Sequence, residues 1–278
     1  MFNKRHIVRT IAATVSILAL SFTAACGSGQ STASNSTDSD DITQQTYKPG
    51  KLTIATGQPA YEPWVMNDKP ESGEGYEAAV AYAVADKLGF KKSDVVWTRT
   101  AFDTAIAPGA KDWDFNIQQF GITDERKKAV DFSSSYYNDS QSVVVKKDSK
   151  FANATKVSDL KDATVGVMVG TLAYDYAKAN IKDDIQTFND DAALAQALDA
   201  GQIDVLVTST VECVYMVQSE QVKDSKVLGR LPDSEDKSGM GIVLPKDSKL
   251  TAAVTKAVDD LNADGTIKKL QDKWLAEY

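Results

Sequence analysis

From Leu52 to Leu275 the chain alternates short β-branched runs with segments whose apolar residues recur at helical spacing. No other feature constrains the fold as strongly, because strands that alternate with helices build sheets covered by helices. Leu52–Thr56 reads as a strand. Tyr76 to Leu88 places Tyr76, Val80, Ala83, Val84 and Leu88 on one helical stripe, and Gly89 closes it. Further strands are expected at Val95–Trp97, Phe115–Phe120, Gln141–Lys146, Val165–Val169, Ile203–Val207 and Gly241–Leu244. Helices are expected at Phe102–Ile106, Leu172–Ala179, Asp190–Ala200, from about Thr210, and at Leu250–Leu261 and Thr266–Leu275. The fold class is α/β.

Composition narrows the function. The chain carries 31 Lys+Arg against 39 Asp+Glu, a net charge of −8. Three of the cations, Lys4, Arg5 and Arg9, precede the uncharged, mostly apolar run from Ile11 to Ala25. Residues 1–25 therefore read as a targeting segment, and the body that follows is more acidic than the whole. The apolar run is short for a membrane span of ~20 residues. An acidic body argues against nucleic acid as a partner.

The single histidine is His6, and Cys26 and Cys213 are the only cysteines. A His-based catalytic triad, a His/Cys zinc cluster and a disulfide within the body are thus excluded. No phosphate-cradling glycine loop, serine elbow or metal-binding helix pair is present, so no cofactor is expected. Residues 27 to about 45 are Ser, Thr, Gly, Asn, Asp and Gln with almost no apolar residue, the composition of a flexible tether.

One arginine stands out on local chemistry. In Gly121-Ile-Thr-Asp-Glu-Arg126, Thr123 is a good N-cap, and Asp124 and Glu125 suit the first turn of a helix. Arg126, at the third helical position, opposes the helix dipole unless an anion partners it. Guanidinium grips carboxylates through two parallel hydrogen bonds, so Arg126 is a candidate carboxylate clamp. The alternative is a solvated surface arginine.

The wider pattern carries a resemblance. Gly121 to Ser133 followed by Tyr136-Tyr137, Tyr61-Glu62-Pro63-Trp64, Gly75-Tyr76-Glu77, Val165 to Thr171, Gly201-Gln-Ile-Asp204 and Gly239 to Lys246 occur in order along the chain. Together they resemble the extracellular solute-binding proteins of polar amino-acid ABC importers, family 3. The resemblance implies a two-lobed periplasmic-binding-protein-like fold with two hinge strands, about Gln141–Lys146 and Gly239–Leu244. Both end in similar exits, Lys-Lys-Asp-Ser and Pro-Lys-Asp-Ser. The domains expected are a signal peptide at 1–25, a lipidated cysteine and tether at 26–49, lobe 1 at 50–142 plus 239–278, and lobe 2 at 143–238.

Thr23-Ala24-Ala25-Cys26-Gly27 resembles a lipobox, implying lipidation of Cys26, although Thr23 departs from the usual leucine. An ordinary cleaved signal peptide and an uncleaved anchor helix are the alternatives. The implied protein is a monomer on the cell surface, lipid-anchored to the outer face of the cytoplasmic membrane. It captures a polar amino acid, glutamine- or glutamate-like, and hands it to an ABC permease. It is not an enzyme. A dehydratase-like enzyme on the same fold and a surface adhesion module are the competing functions.

Site residues carry over one by one from the resemblance. Arg126 matches the arginine that pairs the ligand's α-carboxylate, assisted by Gly121 and Thr123. Gly170-Thr171 matches a second-lobe turn whose free N–H groups favour a carboxylate. Tyr61 and Phe102 match aromatic walls, and Gln119 lies where it meets a polar group. The aspartate that the family commonly sets against the α-amino group is Ser209 here, Gln58 replaces an acid and Met168 a lysine. A buried ammonium needs a partner, and Glu212 or Glu62 are the candidates, each with a solvated acid as its alternative.

Overall fold

The computed structural model describes residues 41–278, so the expected targeting segment, Cys26 and the tether up to 40 lie outside the described residues. The chain runs β1 (Leu52–Thr56), α1 (Tyr76–Lys87), β2 (Val95–Arg99), α2 (Phe102–Ile106), β3 (Phe115–Asn116) and β4 (Val130–Tyr137). It continues through β5 (Gln141–Lys146), β6 (Val165–Met168), α3 (Leu172–Asn180), β7 (Gln186–Phe188), α4 (Asp191–Asp199), β8 (Val205–Ser209), α5 (Thr210–Gln218) and β9 (Ser225–Arg230). It closes with β10 (Met240–Pro245), α6 (Thr251–Ala263) and α7 (Thr266–Trp274).

These strands form two five-stranded sheets, ordered β2-β1-β3-β10-β4 and β7-β6-β8-β5-β9. The fold is α/β and two-lobed, one sheet to each lobe.

Central strands are mostly apolar because both their faces are covered, and successive side chains point to opposite faces. On β5, Val143 and Val145 join the core under α3 while Val144 joins the core under α4 and α5. Val205, Leu206 and Val207 of β8 divide in the same way. In the first lobe, Leu52 and Ile54 of β1 pack with α1, α6 and α7, whereas Ala55 faces Phe102 and Ile106 of α2.

Three strands escape the sequence pattern: β4, β7 and β9. Each lies at the edge of its sheet, partly exposed, and so lacks a clean apolar run. The expected strand Phe115–Phe120 shortens to two residues, because Gln119 takes φ +50 and turns the chain. The expected helix at Arg126 is a single 3-10 turn, Arg126–Lys128, cut short by the start of β4.

The strands Gln141–Lys146 and Met240–Pro245 each belong wholly to one sheet. The chain crosses between lobes in the connections just before them, 138–140 and 231–239. The matching Asp-Ser exits lie at the far ends of those strands and do not mark the crossings. The crossings are bonded to each other: Asp236 N donates to Asp139 O at 2.9 Å, and Leu231 N donates to Gln141 O at 2.8 Å.

The last residues assigned to the tether are folded onto the first lobe. Ile42–Gln44 forms a 3-10 turn, Thr46 is buried, and Tyr47 N donates to Asp114 Oδ1 at 2.6 Å. Ile42 contributes the apolar contact that composition alone hid. No helix among the described residues is long and apolar enough to cross a membrane.

Candidate functional site

A cavity of about 240 Å³ lies between the lobes, lined from both sides. Lobe 2 contributes Met168, Thr171, Asp190, Asp191, Thr208 and Ser209. These follow or end β6, β7 and β8, so the cavity opens at the carboxyl ends of parallel strands, where α/β sheets bind ligands. Lobe 1 contributes the loop from Thr56 to Tyr61, Phe102, the Gln118-Gln119 turn, Gly121 and Arg126. Gln58 and Met168, the two positions noted for departing from the family pattern, both line it.

Arg126 is placed from two sides. Its backbone N donates to Thr123 Oγ1 at 3.1 Å, so Thr123 sets the turn without itself lining the cavity. Its Nη1 donates to Gly121 O at 2.6 Å, and its Nη2 donates across the cleft to Gly170 O at 2.8 Å. The guanidinium lies over the Phe102 ring, 5.4 Å from its centroid. Carbonyl oxygens orient the cation without neutralising it, and burial pulls its pKa down. Further N–H donors stay free for an anion. Thr171 caps α3, accepting from Tyr174 N at 3.2 Å, and Leu172 and Ala173 at the helix start also line the cavity.

Gly121 sits close against the second lobe and the crossing. A methyl group there would sit 2.5 Å from Leu172 Cδ1 and 2.9 Å from Asp236 Oδ2.

Gln119 rests on a buried acid. Its backbone N donates to Glu77 Oε1 at 2.7 Å, its side-chain amide donates to Glu77 Oε2, and the Tyr136 hydroxyl also donates to Glu77. Burial pushes the Glu77 carboxyl up to about 7, with those three donors opposing the shift. The amide nitrogen of Gln119 is therefore engaged, and its carbonyl is what remains for the cavity.

Sequence reasoning missed the site's charge. Among the described residues, five carboxyls line the cavity, from Asp139, Asp190, Asp191, Glu212 and Asp236, and Arg126 is the one cationic side chain there. Asp139 and Asp236 sit on the two crossings, and Asp190 caps α4, accepting from Ala193 N at 2.7 Å. In sequence each reads as an ordinary turn or cap residue. Burial raises Asp139 and Asp236, and burial with Asp190 alongside raises Asp191 to about 6.

Ser209 caps α5 through Glu212 N at 3.2 Å, and its hydroxyl bonds the Asp139 carboxyl. Glu212 is 4% exposed. Trp64 Nε1, from the opposite lobe, donates to its Oε2 at 3.3 Å. Its Oε1 has no partner among the described residues. Burial first, then Asp191, holds this carboxyl well above the usual range. Glu62, the other candidate acid, accepts from Asn67 N at 2.9 Å in its own loop and does not line the cavity.

The family described as bacterial extracellular solute-binding proteins, family 3, matches residues 52–277. The chain is 30% identical over 217 residues to the L-cystine-binding protein TcyJ of Escherichia coli (strain K12), covering 77% of this chain and 79% of that protein. It is 28% identical over 245 residues to an L-arginine-binding protein of Pseudomonas aeruginosa, covering 82% and 88%. A solved structure of an ancestral arginine-binding protein bound to arginine superposes with a TM-score of 0.68. That structure is 31% identical and covers 81% of this chain and 98% of the other.

Proposed function

This chain belongs to the bacterial extracellular solute-binding proteins, family 3, and from that membership we propose a receptor that closes on an amino acid bearing a second positive group and presents it to an ABC permease. Amino-acid binding for ABC transport is the coarse function of the family. The finer reading rests on one observation: among the described residues, a single guanidinium faces five carboxyls in the cavity. A zwitterionic ligand brings one charge of each sign, so its carboxylate suits Arg126 and a surplus of acid is left over. A glutamate-like side chain would add a further carboxylate to that surplus, and a glutamine-like one would leave it unanswered. A cationic side chain answers it, as the names of the arginine-binding relatives also suggest.

Arg126, Thr171 and the start of α3 would take the α-carboxylate, with Gly121 and Thr123 setting the arginine. Tyr61 and Phe102 would wall the aliphatic stem, and the Gln119 carbonyl and Ser209 would accept from N–H groups. Binding would favour the closed arrangement over an open one. Anchoring through a lipid on Cys26 belongs to the same reading.

Calorimetry against the common amino acids, ornithine and cystine tests it. Micromolar or tighter binding of a cationic member is expected, and silence across the whole panel would overturn the receptor. Cys26→Ser should move the protein from the membrane fraction to the soluble one. A second reading has one observation in its favour: Glu212 is a cleft carboxyl that burial raises well above the usual range, the direction a general acid requires. Turnover of a prephenate- or arogenate-like acid, abolished by Glu212→Gln, would establish it.

A further inference from the structure

Building on the receptor reading, we propose that Glu212 is the specificity determinant of this cavity: its unpartnered Oε1 receives the side-chain cation of the ligand. Sequence pattern put the relevant acid at position 209, where this chain has serine. The structure puts a carboxyl one turn further along α5 and covers it from the opposite lobe.

Three observations converge. Glu212 is almost fully buried and lines the cavity, yet only one of its two oxygens is bonded, to the Trp64 indole. A buried acceptor without a donor is costly, so a ligand N–H has something to gain there. Second, Trp64 fixes the carboxyl's direction, because an indole N–H can only donate. The free oxygen is thus held in place before any ligand arrives.

Third, the charges are segregated. The guanidinium of Arg126 is flanked by Asp175 and Asp236. Glu212 instead sits with Asp191 from α4, Asp139 from the crossing and Glu77 from α1. The phenols of Tyr61, Tyr215 and Tyr278 and the Cys213 thiol also lie within its field. None of these is a cation. A ligand whose α-carboxylate rests on Arg126 therefore runs from the basic end of the cavity to an acidic one. The Asp236 carboxyl, beside Arg126, is placed for the α-ammonium and leaves Glu212 for the far end of the side chain.

Burial, and after it the crowding of these acids, raises the Glu212 carboxyl and favours its protonated form while the cavity is empty. An ammonium or guanidinium arriving at Oε1 takes that proton's place, so binding releases a proton to solvent.

The test compares charged ligands with neutral ligands of the same shape: L-arginine against L-citrulline, and L-lysine against L-2-aminoheptanoic acid. Titration calorimetry on the full mature chain reads both affinity and proton release, the latter from buffers of different ionisation enthalpy. The wild type should prefer a charged ligand by at least about 30-fold. Glu212→Gln keeps an acceptor for Trp64, so the ligand-free protein should unfold no earlier. That variant should lose the preference and the proton release while still binding the neutral ligand. Glu212→Asp should restore part of the preference.

A Gln variant that still discriminates, or releases protons as before, overturns the role of Glu212 and leaves the receptor standing. A wild type that binds the neutral and charged ligands alike does the same. A wild type that binds no amino acid at all overturns both.

Discussion

Gly121→Ala tests whether ligand capture depends on the lobes meeting at this glycine. In the closed arrangement the added methyl carbon would stand 2.5 Å from Leu172 Cδ1 and 2.9 Å from Asp236 Oδ2. Carbon atoms in contact normally keep 3.5–4.0 Å, so the leucine must yield by about 1 Å. Leu172 is partly exposed and can turn aside. Asp236 cannot, because its Oδ1 is held by Ser238 N and Gly239 N, both at 3.1 Å. Overpacking of this kind costs about 1–3 kcal/mol.

The contact joins opposite lobes, so an open arrangement relieves it and the cost falls on closure alone. Affinity for L-arginine, measured by calorimetry, should drop about 5- to 150-fold. Denaturant unfolding of the ligand-free protein should change little. Leu172→Ala in the Gly121→Ala background should recover only a small part of the loss, because Asp236 is the neighbour that cannot move. Wild-type affinity in the alanine variant would refute the reasoning. So would an equal loss of stability in the ligand-free protein, because the contact would then exist without ligand.

Other predictions follow from the site. Arg126→Ala should weaken amino-acid binding by about 30-fold or more, since it removes the charge facing the carboxylate, whereas Arg126→Lys should recover only part because a lysine cannot grip in two places. Glu77, pushed up to about 7 from an unfolded value near 4.3, holds its proton longer when folded. Its contribution to stability is full below about 4.3 and lost as pH rises through about 7, roughly 4 kcal/mol in all. Glu77→Gln should flatten that part of the stability–pH curve, and an unchanged slope from pH 4.5 to 7.5 would refute the assignment. Trp64→Phe should leave both oxygens of Glu212 without a protein donor, so the carboxylate form costs more to reach and calorimetry should show weaker binding of L-arginine; unchanged affinity would count against the indole contact.

Much of the architecture was legible because central strands advertise themselves. The expected bounds of β1, β5 and α2 coincide with the structure, since each has either an apolar run buried on both faces or a sharp Pro-Gly stop. Three of the four edge strands, β4, β7 and β9, did not, because many of their residues face water and serine-rich β4 carries no alternation. Site residues close to a recognisable turn, such as Arg126, Gly121 and Thr171, come together round the cavity or set it. The acids were harder. Asp139, Asp190 and Asp236 satisfy local turn or cap chemistry, so nothing in the sequence distinguishes them from any other turn aspartate. Glu212 looks like a solvated helix residue until Trp64, 148 residues away in sequence, is folded over it. Burial that arises from such distant contacts leaves no local periodicity to read.

The order of strands also bears on how the molecule is made. Every strand of the second sheet lies between Gln141 and Arg230, so that lobe can close its hydrogen bonds from one continuous stretch. The first sheet cannot. Its β10 is inserted between β3 and β4, pairing Met240 with Tyr137 across about a hundred residues. Strands that wait on such distant partners form slowly, and their unpaired edges invite other chains meanwhile. A nascent chain would therefore carry a finished second lobe and an open first sheet until its final forty or so residues arrive. Since the cavity needs both lobes, ligand can stabilise only the last step of folding, and the C-terminal strand and helices complete the site as well as the core.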